Sequence, residues 1–227
     1  MNQGFLKIFL TCALISLGSQ SFAALPGPYG FWPCYYGSAA ITNKWGIWGE
    51  SQIRMYDYTG DLEQLLLRTA VTYNLGPDNN QQISQGYAYI RSEPYNLNTE
   101  EKGVTEEHRI YQQLILKQRF SRFYLTHRYR MEERFLQDDF RLRFRYFISG
   151  NFCLNKKELG PGTIFLTAYN EIFLHADKPV FDRNRLYAGL GYGISKSLRL
   201  EAGNMWQIQE TTSRPQLQVI LWHSFNL

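Results

Sequence analysis

Arginines recur at almost every second position in two adjoining stretches of this chain. The first stretch, at residues 127–135, reads HRYRMEERF, and the second, at residues 140–147, reads FRLRFRYF. A guanidinium group keeps its positive charge and can donate two parallel hydrogen bonds to a carboxylate or a phosphate. Arginines spaced so closely can therefore neutralise carboxylates in an ion-pair network, or they can bind an anion.

The alternation also identifies the elements that carry these arginines. Successive side chains of a β-strand point to opposite sides, so each stretch has one charged face and one face of Phe, Leu, Tyr and Met. The polar segment Gln137 to Asp139 separates the two stretches and predicts a hairpin turn. Two environments fit this pattern. A soluble β-sandwich would hold the arginines in water, whereas a membrane barrel would put the apolar face in lipid and the arginines in the lumen.

The beginning of the chain favours export. Lys7 precedes an apolar stretch from Ile8 to Leu17, and two alanines follow at positions 23 and 24. This pattern predicts a signal peptide over residues 1–23, cleaved after one of these alanines. No later stretch approaches the roughly 20 consecutive apolar residues of a membrane-spanning helix. If the processed chain lies in a membrane, it must therefore cross it with strands.

Composition limits the function classes. The chain has 227 residues, of which 44% are hydrophobic and 16% aromatic, with a formal net charge of +4. A mean hydropathy of -0.37 is too polar for a bundle of membrane helices, and the mild charge does not suggest a nucleic-acid partner. Cys34 and Cys153 remain after export, and both a disulfide and two separate buried thiols are open.

Ten amphipathic runs follow one another from Trp45 onward. They predict strands at Trp45–Met55, Leu62–Leu75, Gln82–Arg91, Thr105–Lys117, Arg122–Phe135, Phe140–Ser149, Thr163–Leu174, Arg183–Ile194, Ser197–Gln209 and Pro215–Leu227. Most runs have about 10 to 14 residues, which suits a tilted membrane crossing better than a soluble strand of about 5 or 6.

These runs predict an all-β, up-and-down antiparallel transmembrane barrel over residues 45–227. Ten strands would close with both chain ends on one side, in the periplasm. Residues 24–44 are predicted to form either a periplasmic lead or an extra hairpin, and the hairpin would raise the count to twelve. The last run alternates polar and apolar residues up to Leu227, which is similar to the C-terminal recognition strand of outer-membrane barrels.

The loops predict an orientation. Ser92 to Val104 and His175 to Asp182 are expected to be external and acidic, and the turns near Gln118 and Ser195 are expected to be periplasmic and basic. The segment Gly150 to Gly162 is long for a periplasmic connection and departs from this rule.

The polar phase of the strands collects charged residues that are predicted to line the lumen, because a charged side chain facing lipid at mid-membrane costs about 2 to 4 kcal/mol. This predicted luminal charge network consists of Glu50, Arg54, Arg68, Glu107, Arg109, Arg128, Arg130, Glu132, Arg134, Arg141, Arg143, Arg145, Glu171, Arg185, Arg199 and Glu201.

Two functions follow from this set, and a third is weighed against them. A narrow ten-strand lumen can be filled by long side chains, so the network can plug it as mutually paired ions. The excess of arginine over glutamate also fits a small anion-selective channel or transporter. A lipid hydrolase would need a paired serine and histidine, but the adjacent residues His223 and Ser224 point to opposite faces of one strand. We therefore expect no catalytic residue, no metal site and no cofactor.

Several short motifs, taken in order, resemble a bacterial family catalogued as domain of unknown function 2490. They are EHRIYQQ at 107–113, RYRMEERF at 128–135, RLRFRY at 141–146, NE at 170–171 and FDRNRLYAGLGY at 181–192. The resemblance covers roughly Trp45 to the C-terminus. It departs from the family at Arg183, where an uncharged polar residue is expected, and at Leu227, which replaces a terminal aromatic residue.

The resemblance implies an outer-membrane β-barrel of a Gram-negative bacterium and implies no activity. The expected partners are accordingly outer-membrane lipid and lipopolysaccharide, the barrel assembly machinery and, as a candidate ligand, a small anion.

Overall fold

The computed structural model describes residues 29–76, 78–96, 99, 101–210 and 212–226. The expected signal peptide at 1–23 and the terminal Leu227 lie outside this range. The eleven described strands are β1 Gly30–Ala40, β2 Trp45–Met55, β3 Leu62–Asn74, β4 Gln81–Ser92, β5 Thr105–Phe120, β6 Phe123–Leu136, β7 Phe140–Cys153, β8 Ile164–His175, β9 Phe181–Gly193, β10 Leu198–Ile208 and β11 Ser213–Asn226.

These strands form a closed barrel in which each strand pairs with its sequence neighbours, and β1 pairs with β11 to close the ring. The predicted all-β barrel is confirmed. The predicted counts of ten and twelve strands are wrong, because there are eleven. With an odd number, one pair must be parallel, and this is the pair of β1 with β11, from Gly30↔Gln216 to Ala40↔Asn226.

The additional strand is β1, which falls in the segment predicted to be a lead or a hairpin. Its pattern hides the strand because both faces are apolar: Trp32 and Cys34 point inward, and Phe31 and Tyr35 point outward. Pro33, which has no N–H group to donate, lies where the pairing with β2 is interrupted. The barrel therefore begins at Gly30 instead of Trp45.

An odd strand count also places the start of β1 and the end of β11 on opposite sides of the barrel, which corrects the expectation that the barrel begins and ends on one side. We call the side where β1 begins the amino end and the side where β11 ends the carboxyl end. The amino-end connections are 56–61, 93–104, 137–139, 176–180 and 209–212. The carboxyl-end connections are 41–44, 75–80, 121–122, 154–163 and 194–197. Each end has one long connection, so loop length does not distinguish the two ends.

The outward and inward faces differ in chemistry along every strand. The outward face exposes large apolar side chains, among them Ile47, Leu67, Val71, Ile83, Ile110, Phe144, Ile164, Leu166, Leu186, Leu190, Leu200 and Trp206. The inward face buries thirteen charged residues with only small apolar clusters beside them, such as the one formed by Trp32, Cys34, Tyr187, Met205 and Ile220. Cys34 and Cys153 are both buried and free.

Helices take no part in the described structure, and no helix there has the length and apolarity to cross a membrane.

Candidate functional site

The charged interior is organised around Glu132 on β6. Its side chain is 0% exposed. Arg143, directly opposite on β7, donates to the carboxylate from Nη2 at 2.6 Å, and Arg145 donates from Nη1. Three more arginines place a guanidinium nitrogen 3.6 to 3.9 Å from the same carboxylate: Arg68, Arg109 and Arg130. One carboxylate therefore balances part of the charge of five arginines.

Two neighbouring carboxylates extend this arrangement around the wall. Glu107 accepts from Arg109 on its own strand and from Arg134 across the β5–β6 pair, with Nη2 to Oε2 distances of 2.8 and 3.0 Å. Glu171 on β8 accepts from Arg145 at 2.6 Å and from Arg128 at 2.7 Å. Arg145 thus joins Glu132 to Glu171, and the contacts form one continuous ion-pair network.

The arginines of the interior outnumber the carboxylates, and several arginines without a close carboxylate lie against aromatic rings. The guanidinium carbon of Arg54 lies 3.9 Å from the ring centroid of Trp32, and that of Arg185 lies 5.0 Å from the same ring. Arg130 lies 4.6 Å from the ring centroid of Tyr111 and donates twice to Gln113. A cation over an aromatic face is attracted by the electron density of the ring, so these rings partly replace missing carboxylates.

Two β-bulges add carboxylates that the alternation did not predict. Between β2 and β3 the extra residue is Glu63, which accepts from Arg214 at 2.7 Å. Between β8 and β9 the extra residue is Asp182, which accepts from Arg143 at 2.8 Å and from Arg183. A bulge changes the face of the residues beyond it, so strict alternation assigns them wrongly. Asp182 had been expected in an external loop.

Thirteen of the sixteen residues assigned to the lumen from the sequence are buried: Glu50, Arg54, Arg68, Glu107, Arg109, Arg130, Glu132, Arg134, Arg143, Arg145, Glu171, Arg185 and Glu201. Glu50 pairs with Arg68 at 2.7 Å. Arg128 and Arg199 also face the interior but are partly exposed. Arg141 differs from the rest, because it lies at the amino-end rim, half-exposed and paired with Asp139.

The interior toward the carboxyl end is not filled. A cavity of about 560 Å³ lies there, and we call it the cup. Its inner limit is formed by network residues, including Arg68, Arg130 and Arg145. Its outer part is lined by strand ends and by residues of the carboxyl-end connections 154–163 and 194–197. No residue of the described amino-end connections lines the cup, so it opens at the carboxyl end alone.

Comparison with known families identifies the chain. Residues 29–218 match the family described as "Protein of unknown function (DUF2490)". The chain belongs to this family. The resemblance predicted from the sequence motifs is confirmed, and the match includes β1, which those motifs had not covered. No curated protein and no solved structure matches the chain.

The histidines of this DUF2490 protein do not assemble with a serine in the described part of the chain. His223 points outward, where its Nδ1 lies 3.2 Å from the hydroxyl of Tyr35, whereas the hydroxyl of Ser224 donates to the carbonyl of Ser197. His127 pairs with the hydroxyl of Tyr146. The opposite orientation expected for His223 and Ser224 is what the register of β11 produces.

Proposed function

We propose that this DUF2490 protein is an integral outer-membrane β-barrel whose interior is closed by the ion-pair network, so that it acts as a binding or structural barrel and not as an open pore. The apolar outward face supports the membrane location, because side chains such as Leu67 and Val71 are about half-exposed along the strands. Lipid would remove this surface from water. Outer-membrane lipid, lipopolysaccharide and the assembly machinery are the partners that such a location requires.

The burial of the network is the single observation that carries the closed interior. The Glu132 side chain is 0% exposed, and Arg130 and Arg143 are each 3% exposed. Water that passed through the barrel would have to pass these groups. The two guanidinium groups instead pack against the carboxylate of Glu132, and against the rings of Tyr111 and Phe173 respectively. Porins that conduct through an aqueous lumen have roughly 16 to 18 strands, whereas this barrel has eleven.

The orientation follows from the C-terminal strand. We assign the carboxyl end to the periplasm, since the final strand of outer-membrane barrels ends there. The basic residues near this end, including Lys117, Lys156 and Lys196, then lie on the periplasmic side of the membrane. The acidic connections 93–104 and 137–139 lie on the external side. With eleven strands, the start of β1 falls on the external side, and the cup opens to the periplasm.

The membrane location is tested by fractionation. We expect the protein to stay in the membrane pellet after carbonate washing and to migrate differently on a gel before and after heating, because closed barrels resist detergent. Recovery in the soluble fraction would favour the soluble sandwich and contradict the proposal.

The closed interior is tested by planar-bilayer recording. We expect the wild-type barrel to be silent and the double variant Arg130→Ala, Arg143→Ala to conduct, because it removes two side chains from the closed section. Arg141→Ala, which removes an arginine from the rim, is the matched control and should stay silent. Steady anion-selective conductance in the wild type, with weaker selectivity in the double variant, would instead establish the alternative of a small anion channel.

A further inference from the structure

The cup is strongly positive. Its lining includes eight cationic side chains: Arg68, Lys117, Arg128, Arg130, Arg145, Arg185, Lys196 and Arg199. Against these it has three carboxylates, which belong to Glu50, Glu171 and Glu201. A concave site with one sign of charge and low-dielectric walls concentrates the electrostatic potential within it. The cup therefore attracts anions.

Two of these cations lack the close carboxylate partners that most arginines of the ion-pair network have. Lys117 makes no ion pair with any described residue, and its side chain is exposed to the cup. Arg199 has Glu201 as its carboxylate partner, with Nε 3.4 Å from Oε1, and its side chain is 34% exposed. Both side chains thus retain donors for a ligand.

The positions of Lys117 and Arg199 place them on facing walls. Lys117 is on β5 and Arg199 is on β10, and these strands are five places apart in the ring of eleven. Lys117 lies three positions before the end of β5 and Arg199 one position after the start of β10, both at the carboxyl end of the barrel, so they lie near the mouth of the cup. Two like charges on opposite walls of one cavity are stabilised by an anion between them.

Aromatic rings line the cup beside these cations. Tyr36 and Trp222 have ring centroids 4.4 Å apart, and Trp48 lies 6.1 Å from Tyr36 on the other side. The guanidinium of Arg199 lies 4.6 Å from the ring centroid of Trp222. These rings present apolar faces next to a charge, which is the surface that an apolar body with a charged head would contact.

We propose that the cup binds an anionic amphiphile, with a carboxylate or phosphate head between Lys117 and Arg199 and an apolar body against Tyr36, Trp48 and Trp222. The cup volume of about 560 Å³ is within the range of roughly 300 to 1,000 Å³ that small-molecule sites occupy. This assignment deepens the proposed function and rests on it in one respect, because the closed network is what gives the cup its floor.

The test is calorimetric titration of the purified barrel in neutral maltoside micelles, with protein-free micelles as the blank. The probes are octanoate, octyl phosphate, octan-1-ol as the uncharged body, and inorganic phosphate as the head alone. We expect octanoate or octyl phosphate to bind at least about tenfold more tightly than octan-1-ol or inorganic phosphate, since one charge-assisted hydrogen bond supplies about that factor. Preference for octyl phosphate indicates a phosphate headgroup, and preference for octanoate indicates a free carboxylate.

Substitutions that each remove one positive charge test where the anionic head binds. Lys117→Gln and Arg199→Gln should each weaken binding of the preferred probe by roughly ten- to a hundredfold. Lys157→Gln removes an exposed lysine from the same end of the barrel, outside the cup, and should leave the affinity unchanged. All three variants should keep the heat-dependent gel migration of the wild type.

The proposal is overturned if octan-1-ol binds as tightly as the anionic probes, if inorganic phosphate binds as tightly as octyl phosphate, or if both glutamine variants bind like the wild type. No binding of any probe also overturns it. Failure of this proposal is distinguishable from failure of the closed barrel. A wild-type barrel that is silent in planar bilayers and binds no probe contradicts only the cup assignment, whereas a wild-type barrel that conducts contradicts the closed interior.

Discussion

The two halves of the barrel interior are built from the same strands and the same inward phase, yet one is filled and the other is hollow. On β7, the inward residues toward the amino end are Arg143 and Arg145, which are buried and paired. Toward the carboxyl end they are Ser149 and Asn151, which line the cup. Long charged side chains reach across the lumen to partners on other strands, whereas short polar ones leave the volume to solvent or a ligand.

The filled half is expected to depend on its carboxylates more strongly than the hollow half does. Glu132→Gln should lower the free energy of unfolding by about 3 to 5 kcal/mol, because it leaves buried guanidinium groups without their shared counter-charge. Glu201→Gln should cost about 1 kcal/mol, because Arg199 reaches the open cup and the amide can still accept from Thr167. Urea unfolding of both variants in lipid vesicles, followed by tryptophan fluorescence and gel migration, measures the difference.

If Glu132→Gln and Glu201→Gln lowered the free energy of unfolding equally, the two halves would not differ in their dependence on carboxylates. An unchanged midpoint for Glu132→Gln would show that water reaches the network, and that result would favour a conducting lumen.

Much of the fold could be predicted from the sequence, because alternation alone assigns a side chain to the inside or the outside of a strand. Nine of the ten predicted strands from Trp45 onward match the described strands within a few residues at each end, and Phe140–Ser149 extends to Cys153. The alternation also placed Glu132 and Arg143 on the same inward face. It gave no depth along the barrel axis, so the sequence did not separate network residues from cup residues such as Arg199.

The errors have local causes. Strand β1 was missed because apolar side chains on both faces, together with Pro33, conceal the period of two. Glu63 and Asp182 were missed because each is the extra residue of a bulge, where the alternation changes phase. Arg141 was assigned to the lumen because alternation does not say where a strand leaves the barrel, and Asp139 holds its side chain at the rim.

Each half also contains an aromatic ring that lies over a glycine directly across the strand pair. A Cβ on Gly86 would lie 2.2 Å from the ring of Tyr111, and a Cβ on Gly191 would lie 2.1 Å from the ring of Phe165. Tyr111 is fixed in the network by its hydrogen bond to the carbonyl of Thr69. Phe165 borders the cup and has volume beside it.

We therefore expect Gly86→Ala to cost up to about 3 kcal/mol and Gly191→Ala about 1 kcal/mol, which spans the usual range for overpacking. The same urea titration compares them. A larger loss at Gly191 would indicate that the wall of the cup is as rigid as the network.

The smallest effects on stability are expected for ion pairs that lie outside the buried network. One such pair at each end of the barrel allows the two ends to be compared. At the amino end Arg214 donates to Glu63 at 2.7 Å, and at the carboxyl end Arg119 donates to Glu158 at 2.8 Å. The distances are similar, but both side chains of the first pair are 23% exposed, whereas those of the second are 45% and 68% exposed. Burial should therefore decide what each pair contributes, because water screens an exposed pair.

Glu63→Gln should lower the free energy of unfolding by about 0.5 to 1 kcal/mol, and Glu158→Gln should give no measurable change. The hydrogen bond from Arg119 holds the pKa of Glu158 below its usual range, so any contribution of that pair is present above the ordinary glutamate pKa and is lost as the pH falls. Unfolding at neutral pH and at pH 3, with and without added salt, separates the two pairs. A salt-sensitive loss at Glu158 that equals the loss at Glu63 would mean that distance, and not burial, sets the strength of ion pairs in this barrel.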